Sequence, residues 1–417
     1  MENQYRHNHY VPEWYQKRFI PADQIDNELL YLNLKPEPYI DSRGVKHDLK
    51  NPRKQGPRKC FAIDDLYTSW SENLPVVEME KIFFGKIDLY GLRAVNTLQN
   101  FSHAKDNPSW WPLLWNEHTL YDLLIYMTTQ KLRTPKGMDW LSDQIYSADK
   151  NDVLAAIARY RQLFSAVWAE GVWQIADAEM SETKFIVSDH PVTVYSRYIG
   201  PRNKICRGHN DPDIRINSVH TIFPLSLDKV LILTNTSWSR NPYSDPLEMR
   251  PNPTFERSTM FNIEQIQTMR HLSEQEVREI NFIIKSRAYR YIAAGKEDWL
   301  YPDRYISKSD WNTFGNGLLF MPDPRSMSYT TGFFAGWDDG RKVALDEFGR
   351  TPIDQDYAKR TPDGFATFQR FKGDFAKYFG PKRRSRACSF PGELDPEEDN
   401  DDVHKNHLSL TSDREFH

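Results

Sequence analysis

The sequence predicts an α+β fold: a helical block packed on an antiparallel sheet of about four strands, with a small C-terminal subdomain. Three changes of texture along the chain carry that reading. From Asn73 to Gly171 apolar residues recur at helical spacing over roughly a hundred residues. From Val172 to Thr236 the chain breaks into short β-branched and aromatic runs between turn residues. Near Glu297 a stretch rich in Trp, Gly and Asp begins. The expected organisation is therefore a main α+β domain over 1–296, an appended subdomain over 297–380 and a disordered charged tail over 381–417.

Taken in order, "HNHYVPEWYQKRF" (His7 to Phe19) comes first, and it is too aromatic for a loose end. Burying Tyr10, Trp14, Tyr15 and Phe19 stabilises a fold by roughly 1.5–3 kcal/mol each, so the segment is expected to dock. "ELLYLNLK" (Glu28 to Lys35) alternates as a half-buried strand does. Lys, Arg, Pro and Gly then make an exposed basic loop over 46–59. A helix is expected from Asn73, with Val77, Ile82, Phe83, Ile87 and Leu92 at roughly helical spacing. A second runs through "EHTLYDLLIYMTTQKLRTP" and stops at Pro135. A third, "NDVLAAIARYRQLFSAVWAEG", closes on Gly171.

Four strand stretches follow, "VWQIADAE", "TKFIVSDHPVTVYS", "VHTIFPLS" and "KVLILTNT". Helices return at "MFNIEQIQTMRHL" and at "SEQEVREINFIIKSRAYRYIAAG". The latter opens on a Ser273–Glu276 capping box and closes on Gly295.

Composition narrows the function classes. A net charge of −4 provides no global field for nucleic acid, which leaves only local patches such as 46–59. Cys60, Cys206 and Cys388 are far apart and form no CxxC pair, which fits a reducing cytosol and excludes a thiolate zinc cluster. The polar start has no signal-peptide pattern, and no stretch approaches the roughly 18 apolar residues of a membrane span. The expected location is cytoplasmic, with no membrane partner. P-loop, nucleophile-elbow, HExxH and GxGxxG patterns are all absent, so the corresponding NTPase, serine hydrolase, zincin and dehydrogenase readings fall away.

Five short polar patterns remain as site candidates. His7 and His9 lie two apart and point the same way in an extended segment, so His9 either ligates a metal or packs with a backbone hydrogen bond. Glu78 and Glu80 face different sides of a helix, so one of them turns inward or both stabilise its dipole. Gln130 and Arg133 share a helix face and either meet one anionic group or cap the helix end. In "FIVSDHPVTVYS" a strand is interrupted at Ser188, Asp189 and His190, where Asp189 either ligates a metal or satisfies turn amides. Asn281 sits mid-helix between apolar neighbours and must be satisfied across the core, with Arg287 and Arg290 following.

These patterns, in this order, resemble a bacterial family catalogued as domain of unknown function 4238. The resemblance covers roughly residues 5–295 and rests on His9, Tyr10, Val11, Pro12, Tyr15 and Phe19 at the opening. It continues through Leu66, Tyr67, Glu72, Glu78 and Glu80, then Gln130, Arg133, Thr134 and Pro135. Ser188, Asp189, Pro191 and Val192 follow, and then Asn281, Ala288 and Arg290. His190 departs from the pattern, which more often has Asn there. The resemblance implies a fold unit and a motif list, and leaves the chemistry open.

Two functional expectations follow. The first is a metal-assisted hydrolase of a phosphodiester or nucleotide, resembling a nuclease effector. In it His9, Asp189 and Glu78 hold a divalent ion, and His190 and Arg133 complete the catalytic set. Gln130, Asn281 and Arg290 contact substrate, and the 46–59 loop meets nucleic acid. The alternative is a non-enzymatic binding module whose polar cluster is structural and whose C-terminal subdomain meets a protein partner.

Overall fold

The computed structural model describes residues 7–47, 51–71, 74–76, 83–101, 117–169, 171–234 (without 202, 207, 210, 215, 217 and 218), 266–314, 333–336, 339–340 and 342–345. The chain begins with β1 (His7–His9), α1 (Glu13–Gln16), β2 (Leu29–Asn33), β3 (Tyr39–Ile40), β4 (Lys46–His47), β5 (Arg53–Gln55), β6 (Ala62–Asp64), β7 (Ser69–Ser71) and β8 (Leu74–Val76). Helices α2 (Gly85–Gln99), α3 (Glu117–Leu132), α4 (Pro135–Ile145) and α5 (Lys150–Ala169) follow. The chain continues with β9 (Val172–Asp177), β10 (Val187–Ser188), β11 (Thr193–Tyr195), β12 (His220–Pro224), β13 (Lys229–Thr234) and β14 (Gln267–His271). Then come α6 (Glu274–Arg287), β15 (Tyr291–Ala294), β16 (Phe333–Gly336) and β17 (Lys342–Leu345).

The α+β class holds, with the β structure divided between two main sheets. One has the order β10-β15-β2-β5 and is antiparallel throughout. The other has the order β11-β12-β13-β9-β14, antiparallel except that β14 runs parallel to β9. The stretch expected as one interrupted strand is the link between them. Val187 and Ser188 pair with β15, and Thr193 to Tyr195 pair with β12. Asp189, His190 and Pro191 make the crossing, and a proline there removes no ladder hydrogen bond.

Three helix expectations are corrected. The first helix starts at Gly85 rather than near Asn73, because Leu74–Val76 pairs as a strand with Ser69–Ser71. Pro75 within that pair would break a helix interior but sits opposite Trp70 in a two-stranded ladder. "MFNIEQIQTMRHL" supplies β14 rather than a helix, since the edge of β9 satisfies its backbone; residues 260–265 lie outside the described residues. The last helix ends at Arg287, not Gly295, and Tyr291–Ala294 returns as β15. Pro135 both follows α3 and opens α4, where Thr134 is the N-cap and accepts from the Gly137 amide. The Ser273–Glu276 capping box is formed as expected.

The opening segment docks. Tyr15 and Phe19 are fully buried, Tyr15 stacks on Phe223 at 5.4 Å, and its hydroxyl donates to the Pro224 carbonyl at 2.5 Å. Trp299, Leu300, Ile306, Trp311 and Phe314 join the same core. No helix among the described residues is long and apolar enough to cross a membrane.

Candidate functional site

Most of the polar residues singled out by sequence are committed to holding the fold. His9 donates from Nε2 to the Arg58 carbonyl at 3.0 Å and lies 3.7 Å from Glu13. Burial lowers its pKa, against the pull of that carbonyl and of Glu13. His7 shares the Arg58 carbonyl and pairs with Asp64 at 2.7 Å, which raises its pKa.

Asp189 is buried, and its two oxygens accept three successive backbone amides, Tyr289 at 2.9 Å, Arg290 at 2.6 Å and Tyr291 at 2.7 Å. Burial pushes its carboxyl upward while those three amides pull it down. Asp189 therefore catches the chain where it leaves α6 and turns it into β15. Asn281 accepts from the Ile186 amide and donates to the Lys184 carbonyl, strapping α6 to the strand that precedes the crossing.

Gln130 and Arg133 face one another rather than a shared ligand. Arg133 donates from Nε and Nη2 to Gln130 Oε1 at 3.1 and 2.5 Å, and Gln130 donates onward to the Tyr10 carbonyl at 2.7 Å. Asp88 of α2 takes the rest of the guanidinium at 2.8 Å, and Phe84 lies beneath it. The aromatic opening, α2 and α3 are thus joined through one buried cation. Arg290 is partly exposed, reaching Glu37 at 3.3 Å and lying over Tyr291.

Glu78 lies outside the described residues. The other two members of the expected metal set, His9 and Asp189, are each occupied as above. Among the described residues no group of three or more His, Cys, Asp or Glu side chains is placed to hold a metal ion. The 46–59 stretch, expected as an exposed basic loop, instead contributes β4, paired with β3, and β5, the edge strand beside β2, with 48–50 outside the described residues. In it Lys54 pairs with Asp26 at 2.9 Å and the Arg58 carbonyl anchors both opening histidines.

His190 leads to a different constellation. It is fully buried, and its Nδ1 lies 2.8 Å from Thr134 Oγ1 while its Nε2 lies 3.1 Å from Lys131 Nζ. An ammonium can only donate, so Nε2 accepts and the proton belongs on Nδ1, directed at Thr134. Burial, then Lys131 and Lys136, hold the imidazole neutral by pulling its pKa down to about 3. Asp211 Oδ2 is the focus of the cluster, 2.6 Å from Lys131 Nζ, 3.3 Å from His190 Nε2 and 3.9 Å from Lys136 Nζ. The two lysines hold its carboxyl far below the usual carboxylate range, outweighing burial.

Lys131 closes its donor set on the Val192 carbonyl, whereas Lys136 donates only to the Arg287 carbonyl, at 2.6 Å. Lys136 is brought down to about 8, first by burial and then by Lys131 and Arg287, against Asp211.

These groups border a small cavity of about 20 Å³, partly open to solvent. Leu132, Trp140, Phe164 and Ile214 form its apolar wall, and His209 and Asp211 come from the connection between β11 and β12. An apolar wall with a few convergent polar groups is the composition of a small-molecule site, but the cavity as it stands has room for about one water, so a larger ligand enters only if the connection carrying Asp211 moves.

Sequence reasoning placed His190 near this point but missed Lys131, Thr134, Lys136 and Asp211 as its neighbours. The available signal was two lysines flanking "LRTP", since Pro135 opens a second helix and brings them to one corner. Asp211 carried no signal, because nothing local in "GHNDPD" shows that it reaches a helix eighty residues away.

No curated protein and no solved structure matches the chain. A family match begins within α5 and ends just after β15, taking in the Asp189 crossing and Asn281 but neither the opening motif nor the Lys131–Lys136 corner. Residues 154–298 match the model of the family described as Protein of unknown function (DUF4238).

Proposed function

We propose that the crevice beside Lys131, Lys136 and His190 binds a phosphate-bearing small molecule, a nucleotide or phosphodiester, and that the chain hydrolyses it. One observation carries this reading: two buried lysines share a single carboxylate at the rim of a crevice with an aromatic wall. The surplus positive charge suits an anion in a setting where charges are weakly screened. Lys136, beside Lys131 at this corner, supplies positive charge for the phosphoryl oxygens as charge develops on them. No step is assigned to a divalent ion, since His9 and Asp189 are engaged by backbone groups. The 46–59 loop is proposed as an outlying contact for a nucleic-acid substrate, and the cytoplasm as the setting.

A panel of nucleotides and phosphodiesters tests the proposal directly. Turnover of at least one is expected, with Lys136→Met lowering it by roughly 10²-fold or more, the usual scale for removing one group that stabilises transition-state charge. Absence of both turnover and binding across the whole panel would sink the reading.

A second reading is favoured by the saturation of Asp189: a non-enzymatic protein-binding module in which the polar cluster is scaffold. It expects no stoichiometric metal and a less stable Asp189→Ala variant. Metal bound by the protein and lost in that variant, with the fold intact, would overturn it.

A further inference from the structure

The carboxylate of Asp211 fits its surroundings on one side only. Oδ2 receives Lys131 and faces His190 and Lys136, while the buried Oδ1 has no hydrogen-bond partner among the described residues. An orphaned buried carboxylate oxygen forgoes a charge-assisted hydrogen bond that a better-matched anion would make. The cations belong to the rigid corner formed by α3 and α4, but Asp211 arrives from the connection between β11 and β12. Beyond the cluster, Arg287 of α6 holds the early part of that connection through the Ile199 carbonyl at 2.6 Å and Cys206 Sγ. Near Asp211 it is tied to α4 by a His209–Asp143 pair at 2.6 Å whose carboxylate is well exposed, a contact of small worth. Lys136 keeps donor capacity beyond its one bond to the Arg287 carbonyl.

We infer that Asp211 is an internal occupant of the anion site, standing on Lys131 and Lys136 where the phosphate group of a ligand binds, and that the ligand displaces it. This rests on the proposed phosphate-binding crevice and adds how that site is kept closed. A phosphate brings several acceptor oxygens to the same corner, so it engages Lys131 and Lys136 together where a single Asp211 oxygen sits 2.6 Å from one and 3.9 Å from the other. The displaced carboxylate moves out with its own connection, which carries His209, Pro212, Asp213 and Ile214 of the crevice lining. Competition of this kind lowers apparent affinity by the fraction of molecules in which the occupant is seated.

Titration calorimetry with inorganic phosphate, on the unaltered protein and on Asp211→Asn, tests the inference. The neutral amide is a weaker competitor, so phosphate is expected to bind the variant about fivefold tighter or more, within the usual range for coupled equilibria. Measurable binding to the unaltered protein with equal or weaker binding to the variant would overturn the inference and leave the phosphate site standing. No binding to either protein would overturn both. Should Asp211→Asn fail to fold, amide exchange on the unaltered protein decides. Phosphate should speed exchange around Asp211 several-fold, and slower or unchanged exchange there would count against displacement.

Discussion

Asp189 has the look of a ligand, and its carboxylate is taken up by backbone amides. Its two oxygens accept three amides in a row at the exit of α6. Replacing it with Ala leaves those donors unpaired, at about 1–3 kcal/mol for each that stays buried. Tyr289 is exposed and Arg290 and Tyr291 half-buried, so Asp189→Ala is expected to lose about 1–3 kcal/mol in urea denaturation, still a sizeable share of a typical domain's stability. A loss below about 1 kcal/mol would mean that water replaces the carboxylate and that the turn does not depend on it. Asn281 and Gln130 follow the same logic, since each spends both ends of its amide on neighbouring chain. The sequence showed that a mid-helix Asn needs partners, but Lys184 and Ile186 are far away in the chain and are found only by folding.

Among the elements, the helical block depends on how closely α2 and α3 approach. Gly91 of α2 lies against Tyr126 of α3, and a Cβ built at Gly91 would meet Tyr126 Cδ2 at 2.3 Å and Cβ at 2.9 Å. Because the contact reaches the base of the ring side chain, a rotamer change cannot relieve it. Alanine gains about 1 kcal/mol in helix propensity and loses about 1–3 kcal/mol to overpacking, so packing wins. Gly91→Ala should lower the thermal midpoint, and an unchanged or higher midpoint would show that the helices can separate freely. The misread elements belong to this scale too. A short apolar run such as "IQTMRH" has no period that separates strand from helix, and only the open edge of β9 decides it.

At the scale of the whole molecule, both halves bury a neutral histidine. His190 at the crevice and His220 on β12 are each pulled down to about 3 by burial. An unfolded histidine takes its proton near pH 6.5, so between about pH 6.5 and 3 the unfolded chain binds more protons than the folded one. Stability must then fall as the pH falls, approaching roughly 1.4 kcal/mol per unit for each histidine. Urea midpoints recorded from pH 7 to 4 should decline steadily, and His220→Gln should make the decline shallower. A slope equal to that of the unaltered protein would show that His220 does not contribute.

By itself the sequence determined the α+β class, the docking of an aromatic opening, the capping of α6 and the polar residues that need partners. These are local properties, set by periodicity, by capping chemistry and by the cost of leaving large rings or amides in the wrong solvent. Tertiary structure alone decided what those polar residues do. Asp189 meets three amides at the turn from α6 into β15, and Arg133 meets Asp88 and Gln130. The Lys131–His190–Asp211 corner exists only because the chain crosses between two sheets beside a helix turn and a distant loop supplies the anion. Charges close enough to govern one another there are up to eighty residues apart in sequence, and electrostatic coupling depends on distance in space, not along the chain.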